Sequence, residues 1–205
     1  MKNIVIIGAG GHTRSSANLL KQYFKDASFL IYDDNYNPKV EEYINDAKIV
    51  GTVSNIDNTM RNIFLSVGNN KKRENYFDLF NKIIIKENLI HTSAYLERNI
   101  KLGFANQIFA NAYVNSYVEI GDNNIINTSA ILEHEVTIGS HNHISVSARL
   151  CGRVSLGDRC FIGAGAIIID KVSICNDVTI GAGAVVVENL TEPGTYVGNP
   201  VRKVK

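Results

Sequence analysis

From Ile90 to Val186 every sixth residue is aliphatic, through seventeen successive positions. An α-helix repeats near 3.6 residues and a half-buried strand every two, so neither alone produces a period of six. Short strands separated by regular corners do, and three such hexapeptides close one triangular coil. A second column fixes the coil length: Val118, Val136, Val154 and Val172 recur every 18 residues, as do Ala112, Ala130, Ala148, Ala166 and Ala184. Large and small residues are therefore expected to stack in separate inward layers. Gly103, Gly121, Gly139 and Gly157 follow aliphatic positions at the same spacing, where a corner with positive φ favours glycine. The pattern predicts about five coils of parallel β-helix, within a domain spanning 86–205 and its C-terminal tail.

The first 85 residues are punctuated differently. KNIVIIGAGGH is an apolar strand entering a glycine loop, followed by a helix expected from about Ser15 to Lys25 and a second strand ending in YDD. A short KIVG segment, the strand NIFLSVG and a helix from Asn70 to Ile84 complete half of a Rossmann-like α/β unit, assigned to 1–85. Gly8, Gly10 and Gly11 let backbone approach a phosphate at a helix N-terminus, and Asp33 and Asp34 stand where an acid accepts hydrogen bonds from a ribose or base. The plainer alternatives are a tight strand-to-helix turn and two solvated turn residues. Thr13 replaces the last glycine of G-x-G-x-x-G, and no second mononucleotide-binding half follows. A nucleotide-sugar thus fits better than NAD, with Gly10, Gly11, His12, Asp33, Asp34 and Gly68 as the expected contacts at the loop edges.

Composition narrows the partners. With 21 Lys plus Arg against 20 Asp plus Glu, the chain has no electrostatic footprint for nucleic acid or an anionic membrane. Cys151, Cys160 and Cys175 are odd in number and lack C-x-x-C pairing, and neither a signal-peptide core nor a membrane-spanning run is present. A reducing cytoplasm is the expected location.

The segments IIGAGGH, YDD, SVGNN, NTSAILEHEVTIGSHNHIS, CGRVSLGDRCFIGAGA and YVGNPVRKV, in this order, resemble the bacterial sugar O- and N-acyltransferases of the sialic acid O-acetyltransferase type. The pattern is most similar to bacillosamine-type N-acetyltransferases acting on UDP-linked 4-amino sugars. The resemblance implies a left-handed β-helix, a homotrimer, acetyl-coenzyme A held between neighbouring β-helices, and a nucleotide-sugar on the amino-terminal domain. That family often has glycine or alanine where this chain has Thr13.

The stretch LEHEVTIGSHNH carries the candidate chemistry. With Leu132 inward, His134 falls two positions later, at a corner whose side chains project outward. One coil further, Gly152 stacks beside it without a side chain, offering room for a thioester and a backbone N–H for the oxyanion. His134 can accept a proton near neutral pH. The resemblance assigns ring orientation to Glu135 rather than Glu133. His143, beside inward Ile144, points out of a face half a coil away and is an expected coenzyme contact, so a shared pocket forms most easily between subunits. Ala164 and Ala182, one coil apart in two IGAGA segments, offer a shallow channel for a pantetheine arm. Direct transfer to a 4-amino-4,6-dideoxy sugar needs neither an acyl-enzyme nor a metal.

Other readings stay open on sequence alone. An outward histidine is ordinarily solvated, and the two alanines also suit plain corners. His134, His141 and His143 invite comparison with a zinc hydratase, which their half-coil offset disfavours. A noncatalytic nucleotide-sugar-binding scaffold and a sialic acid O-acetyltransferase are the remaining alternatives.

Overall fold

The computed structural model describes residues 3–57 and 59–204, and the chain divides into two compact units, Met1–Lys86 and Glu87–Lys205. In the first unit β1 (Asn3–Ile7) pairs in parallel with β2 (Ser28–Tyr32) on one side. Sheet order becomes β3-β4-β2-β1-β5 with β3 (Tyr43–Ile44), β4 (Ala47–Gly51) and β5 (Ile63–Leu65). Only β3 runs antiparallel, joined to β4 through Asn45 and Asp46, both at positive φ. The chain moves outward from β1 to β2 and later returns to β1's other edge with β5. The carboxyl ends of β1 and β5 therefore frame a topological switch point, where open α/β sheets leave a crevice.

Two helix boundaries differ from expectation. Helix α1 spans Gly11–Tyr23, beginning four residues earlier than the pattern suggested, because extended Gly10 caps it directly. The glycine loop is thus the helix N-terminus itself. Helix α2 spans Asn70–Leu79 and stops short of Ile84. Its Asn69 cap accepts the Lys72 N–H at 2.9 Å. Beyond the helix the β-branched run returns to the sheet, where the Ile85 N–H donates to Ile63 O at 2.8 Å.

In the second unit, strands of mostly two residues stack into sheets of six, five and eight strands, parallel except at a C-terminal hairpin. Register follows the eighteen-residue period: Ile131 lies on Arg149 and Leu132 on Leu150. Each residue of the six-residue ruler is the inward member of its strand, and the valine and alanine columns fill the interior between them. Outward positions differ by face. One presents Lys101, Glu119, Thr137, Ser155 and Ser173, all exposed. Another presents Tyr95, Tyr113, Ile131, Arg149, Ile167 and Val185, with the first two rings stacked at 6.0 Å.

The expectation that Gly103, Gly121, Gly139 and Gly157 take positive φ is not met. The left-handed residues form a separate six-residue series that includes Ala105, Tyr117, Ser129, Glu135, His141, Ser147 and Arg153. The recurring glycines have a different cause: a Cβ on Gly121 would lie 2.7 Å from Gly139 O in the next coil. Close approach of stacked coils requires them. The cost of left-handed backbone at non-glycine corners, about 1 kcal/mol or more each, is offset by coil-to-coil hydrogen bonds such as Arg153 N–H to His134 O at 2.9 Å.

Candidate active site and nucleotide cavity

At the switch point, the ends of β1, β2 and β5 and the start of α2 enclose a cavity of about 280 Å³. All six residues expected to contact a nucleotide-sugar, Gly10, Gly11, His12, Asp33, Asp34 and Gly68, line it. The glycines divide by physical role. Gly8 has φ +110° and a Cβ there would meet Ser66 O at 2.5 Å, so the turn demands glycine. At Gly10, Gly11 and Gly68 a Cβ would meet nothing within 4 Å. The space beside these three is open to a ligand at a helix N-terminus, where N–H groups and the helix dipole favour an anion.

The aspartates are more committed than sequence suggested. Asp33 Oδ2 accepts the Ala9 N–H at 2.7 Å and Oδ1 accepts the Asn35 N–H at 2.9 Å, bracing the glycine loop. Asp34 accepts from the Tyr76 hydroxyl at 2.6 Å and pairs with Lys72 Nζ at 2.8 Å. Lys72 and then Tyr76 hold the Asp34 carboxyl below its ordinary range, while the same pairing raises Lys72. Burial, then the bond to Asp34, pushes Tyr76 up to about 12. At neutral pH the cavity therefore presents a cation, a carboxylate and a neutral phenol.

Lys72 and Tyr76 were not among the expected residues, although their i, i+4 spacing on α2 puts them on one helix face. Arg73 was missed as well. It is fully buried, and its Nη1 donates to Val67 O at 3.0 Å while Nη2 donates to Asn70 Oδ1 at 3.0 Å. Burial pulls the guanidinium down to about 9, which leaves it protonated at neutral pH. It clasps the loop after β5 that forms one cavity wall. Thr13, the departure from the glycine pattern, is also explained: its buried hydroxyl donates to Gly8 O at 2.8 Å and meets Ser66 Oγ at 3.0 Å, tying α1 to the loop and β5.

In the β-helix, His134 occupies the corner after strand Ile131–Leu132, about half exposed. Its Nδ1 lies 3.0 Å from Glu135 Oε2. A carboxylate there makes Nδ1 the donor and leaves Nε2 as the acceptor. Glu133 is occupied elsewhere, accepting from Asn115 Nδ2 at 2.7 Å. Gly152 stacks directly on the ring: a Cβ at that position would sit 2.6 Å from both Cε1 and Nε2. Among the described residues, the Gly152 N–H has no backbone acceptor. The imidazole, its carboxylate and a backbone donor thus converge at one corner.

His143 belongs to a different face, on strand His143–Ile144, and is 8% exposed rather than projecting freely. Phe161, one coil on, meets it edge-on at 5.1 Å. Asn127 Oδ1 accepts the Thr128 N–H at 2.8 Å, so its amide nitrogen faces His143 Nε2 at 3.1 Å and donates to it. That contact puts the neutral ring's proton on Nδ1. Ala164 and Ala182 are exposed and stacked, with the Gly183 N–H donating to Ala164 O at 2.8 Å. His141 turns at another corner, its Nδ1 2.9 Å from Asn123 Nδ2. Among the described residues, no three His, Cys, Asp or Glu side chains group as a metal site.

Residues 3–80 match the sequence model of the PglD N-terminal domain, and residues 153–188 match that of the bacterial transferase hexapeptide, six repeats. No curated protein sequence matches the chain. Among solved structures, the acetyltransferase domain of PglB from Neisseria gonorrhoeae FA1090 aligns with a TM-score of 0.90 at 27% identity, covering 100% of both chains. PerB from Caulobacter crescentus, solved with CoA and GDP-perosamine, aligns with a TM-score of 0.90 at 28% identity, covering 100% of this chain and 98% of that one. WeeI from Acinetobacter baumannii AYE, at 19% identity and a TM-score of 0.81 over 99% of this chain and 100% of that one, shares the fold. A PglD N-terminal domain match in the first unit, a hexapeptide match in the second and full-length likeness to two acetyltransferases at 27% and 28% identity make this chain similar to the bacterial sugar N-acyltransferases.

Proposed function

We propose that the protein transfers the acetyl group of acetyl-CoA to the 4-amino group of a nucleotide-linked 4-amino-4,6-dideoxy sugar, UDP-linked in our reading, for bacterial surface glycan synthesis. The observation that carries the reading is the His134 corner: Nδ1 engaged by Glu135, and Nε2 beside a residue with no side chain. An ammonium has no lone pair, so attack on a thioester requires a base, and a neutral imidazole accepts that proton near neutral pH. Glu135 orients the ring and favours the imidazolium that forms. The Gly152 N–H would receive the oxyanion, an interaction of a kind whose loss raises a barrier by about 3 to 4 kcal/mol. No acyl-enzyme is needed.

The mononucleotide-sized cavity with its open glycines supports a nucleotide-sugar acceptor, and PerB's GDP-perosamine supplies a precedent for an amino sugar on a nucleoside diphosphate. The PglB domain has been solved with acetyl coenzyme A. His143, Gly152, Ala164 and Ala182 are our candidates for coenzyme contact. The outer strip from Tyr95 to Val185, apolar except at Arg149 and beside a fully polar face, supports packing against further copies as a homotrimer. Among the described residues no helix is long and apolar enough to cross a membrane, and all three cysteines are free. We read the enzyme as cytoplasmic.

Acetyl-CoA offered with UDP-, dTDP- and GDP-linked 4-amino sugars tests this, with free thiol followed alongside the acetylated product. Thiol release matched by N-acetyl product from the UDP sugar is expected. A preference for the GDP sugar would move the nucleotide assignment and keep the chemistry. Efficient use of free sialic acid with no turnover of any nucleotide-linked amine would replace it with O-acetylation.

A further inference from the structure

The corner column that holds His134 and Gly152 continues, one coil on, to Asp170. A Cβ built on Gly152 would lie 2.6 Å from His134 Nε2 and 2.9 Å from Asp170 Oδ1. A carboxylate oxygen and the free imidazole nitrogen therefore face each other across a single glycine, no more than about 5.5 Å apart, the sum of those two distances. Because the separation lies within twice a hydrogen-bond length, about 5.6 Å, a substrate nitrogen on the open side of the glycine can bond to both groups at once. Arg153 fixes the carboxylate, its Nη2 donating to Oδ1 at 3.0 Å and to Oδ2 at 3.1 Å, and Lys171 Nζ lies 3.8 Å from Oδ2. Arg153 engages both oxygens and Lys171 the far one, and a carboxylate oxygen with two lone-pair sites leaves Oδ1 able to accept one further bond. Glu135 is on the other edge of the ring, at Nδ1. His134 is thus flanked by two carboxylates with different geometry: one orients it, the other faces the space where its proton donor must stand.

We propose that Asp170 is an acceptor-binding residue that receives the substrate as an ammonium ion and so makes the enzyme selective for an amine over a hydroxyl. The inference rests on the amine-acetylating reading above and goes beyond it by naming the group that discriminates. An aliphatic amine is largely protonated at neutral pH. Its three N–H donors suit one bond to Oδ1 and one to Nε2, and bonds between ionised partners are about twice as strong as neutral ones. A hydroxyl is neutral, has a single proton to donate, and must choose between carboxylate and base. The ammonium loses its first proton to His134 Nε2, and the freed lone pair forms the N–C bond to the thioester carbonyl. Collapse of the adduct breaks C–S. Of the two protons the nitrogen gives up, one ends on the leaving sulfur through His134 and the other reaches solvent, leaving amide and free thiol.

Asp170→Asn keeps the side-chain size and one acceptor oxygen while removing the charge. With a UDP-linked 4-amino-4,6-dideoxyhexose and acetyl-CoA, the variant should raise KM for the sugar roughly tenfold to a hundredfold, change kcat by less than about threefold, and leave KM for acetyl-CoA as it was. In calorimetry the wild type should bind the 4-amino sugar nucleotide more tightly than its 4-hydroxyl counterpart, and the variant should lose that preference while binding the hydroxyl compound as before. Equal weakening of both compounds marks Asp170 as a prop for the corner and overturns the proposal, as does an unchanged KM or a rise confined to acetyl-CoA. If Asp170→Asn does not fold, Asp170→Ser provides the same comparison. A wild type inactive toward every nucleotide-linked amine overturns the underlying reading and this one together, whereas an active wild type with an unaffected variant overturns this one alone.

Discussion

The two units build sites by opposite means. In the β-helix a side chain's fate follows from its phase: every sixth position is inward, every eighteenth stacks on its equal, and strands of two residues leave little room for local variation. Chemistry there consists of exceptions on the outer surface, a histidine at one corner and a missing side chain one coil later. In the α/β unit nothing repeats. Its cavity is assembled from three strand ends and a helix, and the side chains that shape it are fixed by long-range bonds, as when Tyr76 reaches Asp34 at 2.6 Å. A repetitive scaffold makes a site predictable from spacing, while a non-repeating α/β unit hides part of it in tertiary contacts.

The contrast can be broken most sharply at His134. His134→Ala should lower turnover by roughly 2 to 4 orders of magnitude while coenzyme binding, measured by calorimetry, stays intact. Near-normal turnover would reduce the histidine to a solvated corner residue. Gly152→Val comes next, because its side chain would enter the 2.6 Å space beside the ring. Displacement of a catalytic group by an ångström can cost about a hundredfold, and the β-helix core, whose inward columns do not include this residue, should melt as before.

Arg73→Met sharpens the comparison from the other side. It strips partners from Val67 O and Asn70 Oδ1 in a dry environment, at about 1 to 3 kcal/mol for each group left unsatisfied. Faster amide exchange should be confined to the first unit and accompanied by weaker nucleotide-sugar binding. Exchange spread equally over the β-helix would show that the units are not energetically separate.

Asp34→Asn should weaken nucleotide-sugar use several-fold without altering KM for acetyl-CoA. The acid limb is also defined: because Lys72 and Tyr76 lower the folded pKa of Asp34, the pair's contribution is present above the unfolded carboxylate value and disappears as pH falls through the lowered one. Carboxyl resonances followed by NMR should place Asp34 below the usual range, and a value at or above it would contradict the pairing. The smallest effect belongs to Thr137→Ala on the polar outer face, expected within about 0.5 kcal/mol of wild type by denaturant unfolding.

These differences in effect track what the sequence made legible. The inward columns were readable because period six has one simple explanation, and the stacking of Gly152 on His134 followed from adding one coil. The positive-φ corners were not, since residues such as Tyr117 and Arg153 have no intrinsic preference for that conformation and accept it only because the coil closes there. In the α/β unit, glycines and paired aspartates at strand ends pointed to the cavity. Three consecutive cations, Lys71, Lys72 and Arg73, gave no indication that one would be buried and another would face Asp34. The end of α2 was misplaced for a related reason: Ile83 to Ile85 continue an apolar pattern that suits a helix, and only pairing with Ile63 turns them into extended chain.

The central claim, that His134 takes a proton from a nucleotide-linked amine, is tested most directly by single-turnover transfer with a UDP-linked 4-amino-4,6-dideoxy sugar. Wild type and His134→Ala are compared with acetyl-CoA saturating and N-acetyl product and free thiol counted together. The account predicts one thiol per amide formed by the wild type and a loss of at least about a hundredfold in the variant, with rate partly restored by added imidazole or by raising pH until the amine deprotonates unaided. Equal rates in the two proteins, or thiol released without any amide, would contradict it.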